Sequence, residues 1–138
     1  MGYKVGIVGA TGAVGQELIG LLERRQFPLS ELKLFASSRS AGKQIEALGQ
    51  TITVEEATKT CFNGLDFVIF SASGTLAKEL CPAAAAAGAV AIDNSSAFRM
   101  DPNVPLVGPA INPEAAKANN GIIANPNCTT AIGIIPVY

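Results

Sequence analysis

Histidine is missing altogether from the 138 residues, and cysteine occurs only at Cys61, Cys81 and Cys128. Without an imidazole, a nucleophilic thiol in this chain has no histidine of its own beside it, although thiol enzymes usually keep one there. Three thiols cannot all pair, so no disulfide framework is expected and at least one remains free. An excess of either charge is also lacking: ten Lys and Arg face eleven Asp and Glu, the net charge is −1, and no run of cations is clustered. That excludes the electrostatic footprint of a nucleic-acid or anionic-membrane binder and leaves small molecules or other subunits as expected partners. Long apolar runs are missing as well. The longest, around the alanines at 83–87, is too short and too weakly hydrophobic to cross a bilayer, and the N-terminus enters a strand pattern with no signal-peptide character. A cytoplasmic location is expected. No metal site is expected.

What is present is concentrated first in residues 5–25, VGIVGATGAVGQELIGLLERR. A short apolar strand (Val5, Ile7, Val8) runs into glycines at Gly9, Gly12 and Gly15, and then into a helical pattern with Val14, Leu18, Leu21 and Leu22 as the stripe expected to face a sheet. In a nucleotide-binding βαβ unit the first glycine permits the sharp turn, the second lets backbone approach a pyrophosphate, and the third lets helix pack on strand. The helix N-terminus then offers free N–H groups and positive dipole to phosphates. The spacing here is G-x-x-G-x-x-G, weaker as a signal than G-x-G-x-x-G, and it is the flanking strand and helix that give it meaning.

The rest of the chain alternates strands and helices, which predicts an α/β fold: a doubly wound, mostly parallel, Rossmann-like sheet in a single domain with one core. ELKLFA at 31–36 reads as the second strand. Where an acid would accept hydrogen bonds from the ribose hydroxyls of NAD, the sequence has Ser37, Ser38, Arg39, Ser40, Ala41, Gly42 and Lys43, hydroxyls and cations that suit the 2′-phosphate of NADP. Residues 50–54 read as a strand and 54–62 as a short helix. DFVIFS at 66–71 reads as a strand buried on both faces, followed by the small polar loop from Ser71 to Thr75, where cofactors sit in open α/β sheets. The next helix, about 76–87, should kink or break at Pro82. AVAID at 89–93 is another strand, 113–119 a short helix capped by Asn112, and 122–124 the last strand.

Cys128 stands where that strand ends and a helix begins, behind Asn125-Pro126-Asn127. A helix N-terminus favours thiolate, the nucleophilic form; Cys61 and Cys81 read instead as small buried hydrophobes. Beside a nicotinamide-type fold, a nucleophilic thiol fits one chemistry. Thiolate adds to an aldehyde, hydride leaves for the nicotinamide, and phosphate cleaves the resulting thioester, or the path runs backward from an acyl phosphate. Asn127 and the backbone N–H at the helix start could hold the oxyanion. Arg99, following a strand end on the same sheet edge, could grip the phosphate with a bidentate fork.

GATGAVG at 9–15, ASSRSAGK at 36–43, FSAS followed by Gly74, DNSSAFR at 93–99 and NPNCTT at 125–130 together resemble, in order, the blocks of the aspartate-semialdehyde dehydrogenases. The resemblance implies an NADP-dependent oxidoreductase of amino-acid biosynthesis, acting on aspartyl phosphate or aspartate semialdehyde with phosphate, homo-oligomeric at full length. It implies Cys128 as nucleophile and Arg99 and Asn127 as substrate- or phosphate-binding. Thr11, Gly12, Ala13, Val14, Ser37, Ser38, Arg39, Ser71 and Gly74 would line the cofactor site beside Gly9 and Gly15. Members of that family run to more than twice this length, so residues 1–138 are expected to be the NADP-binding domain with its nucleophile, the second domain and its general-base histidine lying elsewhere, and the isolated chain nearly inactive. A related N-acetyl-glutamyl-phosphate reductase, or a dinucleotide-binding module without turnover, are the alternatives.

Overall fold

The computed structural model describes residues 1–137. Apolar β-rich segments form strands β1 (Tyr3–Val8), β2 (Leu29–Ala36), β6 (Phe67–Phe70), β7 (Val90–Asp93) and β8 (Ile122–Ala124). Between them lie α1 (Ala13–Arg24), a hairpin of β3 (Gln44–Ala47) and β4 (Gln50–Thr53), the two-residue β5 (Glu55–Glu56), α2 (Gly74–Ala86) and, after β8, α3 (Cys128–Ile134). Six strands make one parallel sheet in the order β5-β2-β1-β6-β7-β8. From β1 the chain first moves to β2 and then returns to β6 on the other side. The order therefore reverses between β1 and β6, and a crevice opens at their carboxyl ends.

The two faces of the sheet carry two cores. On one, Val8, Phe35, Val68 and Phe70 pack with Phe62 and with Ala77, Leu80, Cys81 and Ala84 of α2. Phe62 meets Phe35 and Phe70 edge-on, with ring centroids 5.6 and 5.8 Å apart. On the other, Val5, Ile7, Leu32 and Leu34 pack with Ile19 of α1 and with Ala47 and Val54 from the hairpin side.

Several local expectations are corrected. The buried face of α1 is centred on Gly15 and Ile19, with Leu18 and Leu22 at its border, whereas Val14 is 49% and Leu21 37% exposed. At the centre of that face Gly15, having no side chain, lies against the backbone of Gly9 and Ala10 in the turn after β1. Strand β6 is fully buried on one side only, at Val68 and Phe70; Phe67 and Ile69 are half-buried and join Val5, Leu22, Phe27 and Ile92 around an open apolar groove. Residues 54–62 form no helix. They pair at Glu55 and Glu56 with the edge of β2 and then turn. Helix α2 runs unbroken through Pro82. Residues 113–118 form a 3-10 turn, and Asn112 does not cap it: its Oδ1 accepts from Gly108 N at 2.8 Å and its Nδ2 donates to Leu106 O at 3.0 Å, closing the preceding loop instead. The outer edge of β8 is met by residues 105–107, where Ala124 N donates to Pro105 O and Val107 N to Ala124 O, both at 2.9 Å.

Candidate functional site

The turn after β1 is built by two glycines and leaves the third bare. Gly9 has φ +86°, and a Cβ there would lie 2.0 Å from the carbonyl oxygen of Ser71 at the end of β6. A Cβ on Gly15 would lie 2.2 Å from Gly9 O. Packing alone thus requires glycine at 9 and 15. At Gly12 an added Cβ would meet only Gly9 O, at 3.4 Å, and φ is −80°. Nothing in the fold demands glycine there, so its bareness leaves room for something lying over the loop. Gly12 is also the N-cap of α1 and no side chain caps that helix, so its first-turn N–H groups are free to meet an anion.

These groups face a cleft at the crevice between β1 and β6, which brings together Gly9, Thr11, Gly12, Ser37 and Ser71, with Leu76 as an apolar wall. Ala13 and Val14 lie behind, in the first turn of α1. Ser38 and Arg39 are exposed in the turn beyond Ser37, whose carbonyl accepts from Ser40 N and Ala41 N at 2.9 and 3.0 Å. Among the described residues Arg39 has no carboxylate partner. Gly74 is the first residue of α2, beside Ala97, and Ser73 caps that helix by accepting from Leu76 N at 3.3 Å.

Further along the same sheet edge, the ends of β7 and β8 form a second cluster. Asp93 is fully buried, and Ser95 fills both its oxygens: Ser95 N donates to Oδ1 at 2.9 Å and Ser95 Oγ to Oδ2 at 2.8 Å. The loop so folded returns Arg99 toward the strands. Its Nε donates to Asn125 O at 2.9 Å and its Nη2 to Asn94 O at 3.1 Å, while Asn125 Nδ2 donates to Asn94 Oδ1 at 2.8 Å. No carboxylate pairs with Arg99 among the described residues. Asn127 is the N-cap of α3, its Oδ1 accepting from Thr129 N at 2.9 Å, and Cys128 is the first helical residue, with its side chain exposed. Three inter-strand steps, about 14 Å at the usual spacing, separate β1 from β8, so the glycine cleft and the thiol share one rim.

The other two cysteines lie elsewhere. Cys81 is fully buried in α2, and desolvation, followed by the charge of Asp93, pushes its thiol far above the usual range. Cys61 is half-buried in a turn, its thiol also raised, mainly by desolvation. Asn94, Ser95 and Asn125 are site residues that the sequence reading missed. Asn-Ser-Ser directly after a strand is a turn signal that could have marked the first two; Asn125 offers none, because its partner lies 31 residues away.

Comparison with known proteins shows the family and the fold. The family described as semialdehyde dehydrogenase, NAD binding domain, matches residues 4–119. An aspartate-semialdehyde dehydrogenase of Synechocystis is 54% identical over 135 residues, covering 98% of this chain and 40% of that protein. The crystal structure of aspartate semialdehyde dehydrogenase II from Vibrio cholerae complexed with ASA superposes with a TM-score of 0.93 at 43% identity, covering all of this chain and 47% of that one. Aspartate semialdehyde dehydrogenase from Candida albicans, crystallised with NADP, gives a TM-score of 0.78 at 32% identity over 99% of this chain and 46% of its own. The chain spans about two fifths of the length of the curated relatives it matches.

Proposed function

The chain belongs to the semialdehyde dehydrogenase family, as its dinucleotide-binding domain, and from that premise we propose that it serves an aspartate-semialdehyde dehydrogenase, binding NADP and carrying the nucleophile. The reaction is the reductive dephosphorylation of aspartyl phosphate to aspartate semialdehyde, or its reverse. The observation that carries the reading is the bare Gly12 beneath an uncapped helix start, on the same rim of the sheet as the exposed Cys128. When bound, the cofactor supplies a nicotinamide able to exchange two electrons and a proton's worth of hydrogen with the substrate.

The chain's own residues do the rest. The N–H groups at the start of α1, with Thr11 and Ser71, would hold the pyrophosphate, and Gly74, the first residue of α2, would lie near it. Ser37, Ser38 and Arg39 meet the 2′-phosphate at the end of β2, where NAD would call for an acid. The sulfur of Cys128 attacks the acyl carbon of aspartyl phosphate, the bond from that carbon to the phosphate oxygen breaks, and inorganic phosphate leaves behind the thioester that links the two half-reactions. Because Asn127 spends its Oδ1 on Thr129 N, its Nδ2 is the side-chain group left to donate to the developing oxyanion. Arg99, with no carboxylate partner among the described residues, draws in the phosphate. A general base comes from the part of the relatives' length that this chain does not span, since it contains no histidine. General acid–base help is typically worth ~10² to 10⁴ in rate, so these residues alone turn over little.

Calorimetric titration with NADP and then NAD tests the cofactor assignment: NADP should bind more tightly, and tighter NAD, or no binding of either, overturns it. Iodoacetamide tests the nucleophile. Cys128 should be alkylated faster than Cys61 or Cys81 at neutral pH, and a reversed order removes it from the chemistry.

A further inference from the structure

We infer that Asn94, Arg99 and Asn125 form a clamp that sets the direction in which residues 126–128 leave β8, making them positioning residues for Cys128. The inference rests on Cys128 being the nucleophile, and adds a second task to Arg99. Helix α3, which begins with the thiol, has seven residues and buries none of them, so its own packing does little to aim the sulfur. The aim must come from the chain that precedes it. There the restraints converge on Asn125. Its backbone N donates to Asp93 O at 2.8 Å, its carbonyl accepts from Arg99 Nε, and its side-chain Nδ2 donates to Asn94 Oδ1. From that fixed residue to the sulfur the chain is stiff: Pro126 has a locked φ and holds Asn125 extended, and Asn127 closes its cap on Thr129 N.

The guanidinium makes the clamp directional. Nε and Nη2 lie on one edge of the planar fork, and both are occupied by carbonyls, those of Asn125 and Asn94. An anion can then meet Arg99 only at its other end, through Nη1 and the second N–H of Nη2. One side chain thus ties the ends of β7 and β8 together and carries its charge on the residue from which the chain leads to the thiol. The buried Asp93 carboxylate supports this from below, because its hold on Ser95 shapes the loop that delivers Arg99.

The test follows alkylation of each cysteine by iodoacetamide, resolved by mass spectrometry across pH, in the 138-residue chain and two variants. Asn94→Leu removes the acceptor for Asn125 Nδ2, and Asn94→Asp keeps it. Asn94→Leu should slow Cys128 about fivefold, one hydrogen bond's worth, and move its pH profile, while Cys61 is unchanged; Asn94→Asp should stay within about twofold of the parent. A rate and profile for Cys128 unaltered in Asn94→Leu overturn the clamp. If Asn94→Leu fails to fold, seen as fast labelling of buried Cys81, the decision passes to Asn125→Ala, which keeps both backbone bonds and removes only the side-chain donor. It should show the same fivefold loss, and its absence overturns the clamp. Failure of the nucleophile reading looks different, since there Cys128 is no faster than Cys61 in the parent chain.

Discussion

Gly9 and Gly12 lie three residues apart, yet a methyl group added to each meets a different fate. At position 9 it would enter the carbonyl of Ser71 and sit on a left-handed backbone; at position 12 it finds only ordinary contact. Gly9→Ala should therefore cost about 1–3 kcal/mol in a urea melt, whereas Gly12→Ala, an uncapped N-cap, should cost about 1 kcal/mol or less and instead weaken NADP binding by calorimetry. Equal losses of stability would show that Gly12 serves packing after all. Cys81 gives a pH-dependent counterpart. Below its ordinary value of 9.0 both folded and unfolded chains keep the thiol proton, and stability does not depend on it. Above 9.0 the unfolded chain releases the proton first, because burial holds the folded thiol far higher, so stability falls as pH rises. Urea melts from pH 8 to 10.5 should show a slope steeper than that of Cys81→Ala by up to about 1.4 kcal/mol per pH unit. Parallel slopes would mean that Cys81 is not desolvated. The glycines were legible in the sequence because their spacing is set within one strand–turn–helix unit, although the carbonyl that bars a side chain at Gly9 belongs to Ser71, at the end of β6. Asn125 was not, because its meaning comes from Asn94 and Arg99, brought to it only by sheet pairing.

At the scale of elements, what could be read from the chain was what depends on period and order. The strand that ends at each chemical block and the helices between strands follow from alternation, whereas the place of the reversal, between β1 and β6, is seen only in the folded sheet. The failures occurred where tertiary pairing outweighed local propensity. Val54, Glu55, Glu56 and Ala57 make a plausible first turn of helix, but Val54 is buried in the core under α1 and the two glutamates extend the sheet beside Phe35 and Ala36. Pro82 failed in the opposite sense. It should have interrupted α2, and the helix continues because Leu80, Cys81 and Ala84 are anchored in the core on either side of it. The proline still denies Lys78 O its helical donor, and its ring is on the exposed face. Pro82→Ala should accordingly stabilise the chain, by about 1–3 kcal/mol, seen as a higher urea midpoint with unchanged steepness. A neutral or destabilising result would mean that α2 has already bent to relieve the clash.

Taken as a whole, the chain exposes 7895 Å², against the roughly 6,700 Å² expected of a compact monomer of this mass. Part of the excess is apolar and lies in two places: the groove lined by Phe67, Ile69 and Ile92, and helix α3 with its C-cap, where Ile132 is 74% and the capping Ile135 56% exposed. Stability must then be unevenly distributed. Strand β1 is paired on both sides and packed on both faces, and β6 is paired on both sides with Val68 and Phe70 fully buried, whereas α3 has little beneath it beyond its cap. Local opening should follow that gradient. Amide exchange is expected to be slowest in β1 and β6 and to rise sharply after Asn125, whose N–H is held by Asp93 O, so that residues 131–134 open about 3 kcal/mol more easily, roughly a hundredfold in rate. Adding NADP should slow exchange at residues 12–15 and around 71–74, where the proposed pyrophosphate site lies, and leave α3 fast. If α3 were instead as protected as β6, its direction would be fixed by packing of its own, and the restraints gathered on Asn125 would no longer be what aims the thiol.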